Sequence, residues 1–316
     1  MLSTIKDYIK KNKKGSSNSV HNIIPWKGFH GNWVLLKDGY YRLITRVSPI
    51  NLNNLTVDEI NKAVSALSEV LNSIQSSIQI KVSSEPLEID EYENFVHSQA
   101  AKTDHAYFLE RIYDYLDYIQ ERREKSSRQK KFYIIVKSEY TDMELVKDHF
   151  KNIIDLLQEI LSSVGMKCIP LNEHEVKELL YKKLNPASSI DQPYDSDLDD
   201  VTILPSSIIY ERNYIEVDGF YYRSFAIVHY PLEIGFENWF KKILETSGNV
   251  ELDIFLTPGD SYEVEKEISN VIQRIDDTLI GRVPPHKRIK LQKERESAEM
   301  MLNEIIDNQS YDVFTM

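Results

Sequence analysis

The sequence predicts an α/β (α+β) protein of two related lobes, each a β-hairpin followed by a helix, a strand and a helix, with added helices. Three observations predict it. Asp-Gly dipeptides stand between apolar runs at Asp38-Gly39 and Asp218-Gly219, helix-period segments alternate with strand-period segments, and the same element order occurs twice.

Residues 1–22 read as a flexible arm. They are polar, with Lys10-Lys11-Asn12-Lys13-Lys14 running into Gly15, Ser16 and Ser17, and bury too little apolar surface to order themselves. The first lobe spans 23–185. Its hairpin joins Trp33–Leu36 to Tyr41–Val47 through Asp38-Gly39, where both turn positions favour positive φ. Val57, Ile60, Val64, Leu67, Leu71 and Ile74 recur at steps of three and four and mark one face of a helix, and Ile78, Ile80 and Val82 then alternate as a strand. A short helix is expected near 91–99. A longer one follows over 107–124, with Phe108, Ile112, Leu116 and Ile119 inward. Phe132–Val136 is apolar throughout and reads as an inner strand. A helix over 143–164 turns Leu145, Ile153, Leu157, Ile160 and Leu161 inward and stops at Gly165. Lys167–Leu171 reads as a short strand and Glu173–Leu184 as a helix.

Residues 186–203 read as an exposed acidic linker, with Pro186, Pro193 and the aspartates Asp191, Asp195, Asp197, Asp199 and Asp200. The second lobe, 204–316, repeats the grammar. Tyr214–Val217, Asp218-Gly219 and Tyr222–Tyr230 form a hairpin, Phe236–Leu244 a helix, Glu251–Leu256 a strand and Tyr262–Leu279 a helix. A C-terminal helix over 290–306 follows Pro284-Pro285. Asp38-Gly39-Tyr40-Tyr41-Arg42 answers Asp218-Gly219-Phe220-Tyr221-Tyr222-Arg223 with one extra residue, and chance recurrence of Asp-Gly hairpins is the competing explanation.

Composition narrows the function classes. The longest apolar runs fall far short of the roughly 20 residues that cross a bilayer, so the chain has no transmembrane segment of its own. The N-terminus has no secretory h-region, which predicts a cytoplasmic protein. The single cysteine, Cys168, permits no internal disulfide and reads as a buried filler. A net charge of -12 argues against direct nucleic-acid binding, since like charges repel at long range. The basic stretches Lys10–Lys14 and Lys287, Arg288 and Lys290 read as a solvated tail and a solvated helix start.

Motif searches assign no catalytic, cofactor or metal residue. None of the ten glycines builds Gly-x-x-x-x-Gly-Lys-Ser/Thr, the loop whose amides cradle phosphate. Gly28-x-x-Gly31 does not match the dinucleotide fingerprint. His174-Glu175-Val176-Lys177-Glu178 carries glutamate where a zinc-protease helix needs its second histidine. Asp195-Ser196-Asp197-Leu198-Asp199 opens like a calcium loop, but Asp200 and Ser206 occupy the positions of the required glycine and glutamate. The eight histidines show no spacing that sets two with a carboxylate on one face, and no Gly-x-Ser-x-Gly elbow occurs. Trp26, Phe29 and Trp33 stand out as candidate partner contacts. Two readings hold for these rings: exposure to a partner, or packing under the first sheet, which suits Trp33 best.

From Ile24 onward the order of motifs resembles the N-terminal domain of the CagE/TrbE/VirB family of type IV secretion and conjugation ATPases, in a Gram-positive-like branch. The matching segments are Ile24-Pro25-Trp26 with Lys37–Ile44 and Ser48-Pro49-Ile50-Asn51, then Leu71–Ile74 with Ile78-Gln79-Ile80, and Lys131–Val136. In the second lobe they are Tyr222–Ile227 with Tyr230-Pro231, Trp239-Phe240 and Asp253–Pro258. Each is short and structural, and their order carries the specificity. The resemblance implies a non-catalytic docking and assembly region, contacting inner-membrane channel subunits in DNA or protein transfer. It further implies a place at the inner face of the membrane and self-association into an oligomer. The family's phosphate-binding motor is not represented, so no catalytic residue carries over and no ATP hydrolysis is expected. The alternative is a single-stranded nucleic-acid-binding or nucleotide-processing enzyme with an unrecognised site; nineteen tyrosines supply stacking rings, but the net charge disfavours a basic groove.

Overall fold

The computed structural model describes residues 20–86, 90–100, 102, 105–124, 128–186, 188–192, 194–195, 203–227, 244, 250–259, 261–281, 283–307 and 313–315. Residues 1–19 of the expected arm, most of the helix expected over Phe236–Leu244 and residues 196–202 of the expected linker lie outside the described residues. Helices and antiparallel strands are mixed, an α+β fold. Contacts divide the chain into two compact units. One draws on stretches within Met1–Leu43, Tyr140–Val146 and Leu171–Tyr230, the other on stretches within Ile44–Glu139, Lys147–Pro170 and Pro231–Met316.

The first unit opens with a helical turn, α1 (Val20–Ile23), and two antiparallel strands, β1 (Trp26–His30) and β2 (Trp33–Leu36), paired Phe29 to Val34 and His30 to Trp33 with a bulge between Trp26 and Gly28. β2 pairs in turn with the start of β3 (Tyr41–Val47), Trp33 opposite Leu43 and Leu35 opposite Tyr41. The sequence placed positive φ at both Asp38 and Gly39, and that reading needs correction. Only Gly39 is left-handed (φ 87°); its N–H donates to the Leu36 carbonyl at 3.0 Å and the Leu36 N–H to the Tyr40 carbonyl at 3.1 Å. This is a three-residue loop with a glycine bulge.

The other Asp-Gly pair does form a two-residue turn. Asp218 (φ 47°) and Gly219 (φ 85°) join β8 (Ile215–Val217) to β9 (Phe220–Tyr222), with Val217 opposite Phe220. β9 therefore starts before the expected Tyr222 and ends there. A further strand, β7 (Ile208–Tyr210), pairs with β8, and the Asp218 carboxylate holds the approach to it by accepting from the Ser206 and Ser207 N–H groups at 3.0 and 2.7 Å. Ile203, at the end of the segment read as an exposed linker, is instead fully buried, and its carbonyl accepts from Asn185 Nδ2 at 2.9 Å.

The second unit is organised on the remainder of β3, in the strand order β3, β5 (Arg128–Lys137), β4 (Ile78–Pro86), β10 (Leu252–Gly259) and β11 (Val313–Thr315), with β6 (Cys168–Pro170) also on β3. β5 lies between two neighbours, as its unbroken apolar run implies, and Val136 is fully buried. The helix α2 (Val57–Ser73) begins at Thr56, whose hydroxyl accepts from the Glu59 N–H while Glu59 reaches back to the Thr56 N–H. Of the expected stripe Ile74 is buried and Ile60 and Leu71 are half-buried, while Ala66 and Val70, outside that stripe, complete the buried face. Val57, Val64 and Leu67 are exposed. Ala63, Ala66, Val70 and Ile74 also recur at steps of three and four, so periodicity alone does not separate the two stripes.

Two further corrections concern helix faces. In the helix over Ala106–Glu124, Leu116 and Ile119 are buried but Phe108 is 57% exposed. In the helix over Met143–Ser162, Leu145 is 51% exposed while its neighbour Val146 and Phe150 are fully buried. That helix closes at Gly165 (φ 79°), where Met166 N–H donates to the Leu161 carbonyl. Further described helices are Asp90–Ala100, Glu173–Leu184, Ser188–Asp191, Ser261–Ile280 and Pro285–Asp307. The last starts at Pro285 itself, since the first helical position needs no N–H. No described helix is long and apolar enough to cross a membrane.

Candidate functional site

The rings singled out from sequence lie on β1 and β2. Register decides which of them meet. Because Phe29 faces Val34 and His30 faces Trp33, the two faces of this ribbon carry different sets. Trp26 and Phe29 come together, ring centroids 6.2 Å apart, and Lys177 Nζ stands 5.1 Å over the Phe29 ring while pairing with Glu173 at 2.7 Å. Trp33 lies on the other face with His30 and Tyr41, its ring 6.5 Å from that of Tyr41 in an edge contact. All three predicted rings are half-buried. Trp26 and Phe29 thus form one surface feature, and Trp33 belongs to another.

Lys177 reaches Phe29 because its helix is fixed at its start. Asn172 accepts from the Glu175 N–H at 3.0 Å and Glu175 returns the bond to the Asn172 N–H at 2.9 Å. The same capping explains the near-match to a zinc helix: Glu173 and Glu175 serve the positive end of a helix. Among the described residues no group of three or more His, Cys, Asp and Glu side chains could hold a metal ion.

Sequence reasoning missed a polar cluster. Ser76 Oγ donates to Glu139 Oε1 at 3.0 Å and lies 3.2 Å from His149 Nε2, with Ser76 4% exposed. These are the residue types of a nucleophilic triad, but the connections differ. The hydroxyl has one proton and gives it to Glu139, so Nε2 stands as a donor to Oγ rather than as a base, and the carboxylate orients the serine rather than the imidazole. Burial holds His149 below its ordinary pKa, and Glu139 pulls the other way. Separations of 63 and 73 residues leave no local pattern by which to find the cluster.

A second buried group joins β4 to β5. Glu85, 3% exposed, accepts from Tyr133 Oη at 2.9 Å and Ser83 Oγ at 3.2 Å, and its other oxygen is 3.1 Å from Lys131 Nζ. On the other side of β4, Lys81 bonds Glu251 at 2.7 Å and Asp253 at 3.2 Å at the start of β10. Burial alone lowers its pKa, yet the two carboxylates together raise it above the ordinary lysine value. Both are hydrogen-bonded supports of the sheet. The Cys168 thiol is pushed up to about 12 by burial, the behaviour of an inert core residue.

The fold and these faces define an α+β protein whose β1–β2 ribbon carries half-buried aromatic rings on both faces. Residues 30–185 match the family model of the archaeal TraC-like domain, which supports a conjugation-related domain over that stretch. No curated protein matches the chain.

Proposed function

We propose that this chain is a docking and assembly region of a conjugative type IV secretion machine, joining its motor ATPase to inner-membrane channel subunits at the inner face of the membrane. The observation that carries the reading is the TraC-like match over residues 30–185. The order of short motifs resembling the N-terminal domain of the CagE/TrbE/VirB ATPases supports it. So does the chain's own sequence, which holds no Gly-x-x-x-x-Gly-Lys-Ser/Thr loop to bind a triphosphate. In this reading the chain organises neighbours and hydrolyses no nucleotide itself, and Trp26 and Phe29 meet the partner.

Co-purification with each channel subunit is the test. Capture by at least one subunit, weakened by Trp26→Ala with Phe29→Ala, is expected. If no subunit is captured while circular dichroism shows a folded chain, the docking role is lost. Steady ATP turnover by the purified chain, abolished by changing one of its own side chains, would overturn the non-catalytic part.

A further inference from the structure

The helix Ala106–Glu124 carries two parallel rows of side chains away from its buried residues Leu116 and Ile119. Tyr107, Arg111, Tyr115 and Tyr118 recur at steps of four, four and three and share one face. Glu110, Asp114 and Asp117 form a second row beside them, and all three are exposed. Tyr107, Tyr115 and Tyr118 are 59%, 44% and 48% exposed, and the last two rings stack at 6.3 Å with an interplanar angle of 24°. The carboxylates flank the rings rather than oppose them.

The helix already displays what such a face does with a cation. The Arg111 guanidinium lies 5.6 Å from the centroid of the Tyr107 ring, and its Nη1 donates to Asp114 Oδ2 at 3.4 Å. Ring and carboxylate together satisfy the two preferences of a guanidinium, a π-face for its plane and an anionic acceptor for its N–H edge. One turn further along, the stacked Tyr115 and Tyr118 with Asp117 repeat that combination. We propose that this face is a docking surface for an arginine- and lysine-rich segment of another protein, each cation seated over a tyrosine ring with a carboxylate at its edge.

Charge selects this occupant over the others. The net charge of -12 draws a basic segment in and repels both an anionic lipid surface and a second copy of the chain. The inference stands apart from the secretion reading and holds or fails without it.

Fluorescence anisotropy of the full chain with a labelled peptide of alternating arginine and serine tests it. Tyr115→Ser with Tyr118→Ser changes no charge, and Asp114→Asn with Asp117→Asn changes no ring. Each pair is expected to raise Kd by about tenfold, while Glu69→Gln with Asp155→Asn, which removes equal charge from other exposed helical positions, leaves it within about twofold. Circular dichroism verifies that each variant is folded. An unchanged Kd in the tyrosine pair, or equal weakening by the Glu69 and Asp155 control, overturns the proposal. A concentration-dependent dimer in sedimentation, or binding to phosphatidylglycerol vesicles, that the tyrosine pair abolishes overturns it in favour of self-association or a lipid surface.

Discussion

Lys131 Nζ stands 3.1 Å from Glu85 Oε2 across neighbouring strands, with the Glu85 side chain only 4% exposed. A carboxylate so far from water is tolerated because Lys131, Tyr133 and Ser83 all turn polar hydrogens toward it. Lys131→Met removes the charge partner and leaves the anion buried. The unfolding free energy is expected to fall by about 3 kcal/mol in urea titrations. Adding Glu85→Gln to the same chain removes the stranded charge and should recover more than half of that loss. A double variant no more stable than Lys131→Met would show that the pair is not coupled.

The two Asp-Gly turns should respond differently to substitution. A Cβ at Gly39 or Gly219 would meet nothing within 4 Å, so alanine at either is strained only through its positive φ, a cost of about 1–2 kcal/mol. At the aspartates the outcomes part. Asp218→Ala loses acceptors for two backbone N–H groups and leaves a non-glycine residue left-handed, whereas Asp38→Ala loses the local bond to Tyr40 N–H and an exposed pair with Arg42. Thermal melts should show the larger drop for Asp218→Ala.

Cys168 offers a chemical readout of native packing. With its pKa raised to about 12, the thiolate fraction at pH 8 is on the order of 10⁻⁴, against about a tenth for an ordinary thiol of pKa 9.0. Alkylation by iodoacetamide is expected to run at least about 100-fold slower in the folded chain than in urea. Since the folded thiol holds its proton longer than the unfolded one, its contribution to stability is complete below pH 9.0 and is lost as pH rises toward about 12. Equal alkylation rates in the two states would contradict the burial.

His149 gives pH dependence of the opposite sense. Its folded pKa lies below the ordinary 6.5, so the unfolded chain takes up the proton first as pH falls. Its stabilising share is present above pH 6.5 and shrinks below it. His149→Gln preserves a donor for Ser76 without titrating. Between about pH 7.5 and pH 5.5 the wild-type melting temperature should fall further than that of the variant. Parallel pH profiles would remove His149 as the cause.

Periodicity made the elements legible. The strand Ile78–Val82, the helix that ends at Gly165 and the helix that carries Lys177 follow from spacing, with Gly165 marking one helix end. The faces were less legible. Val64 and Leu67 lie on a helical stripe as regular as the one that holds Ala66 and Val70, and only the tertiary fold, which buries the second and exposes the first, selects between them. Likewise Leu145 and Val146 are adjacent apolar residues, and a rotation of one position decided which is exposed and which is fully buried.

By itself the sequence determined the α+β class and the places of the Asp-Gly turns, because these depend on backbone preferences and residue order over a few positions. Tertiary structure alone decided that Trp33 parts from Trp26 and Phe29, that Ser76 meets Glu139 and His149, and that Glu85 is buried beside Lys131. Those outcomes depend on strand register and on pairings between distant segments. A shift of one residue in register moves every side chain to the opposite face, and nothing local in the chain records which register wins.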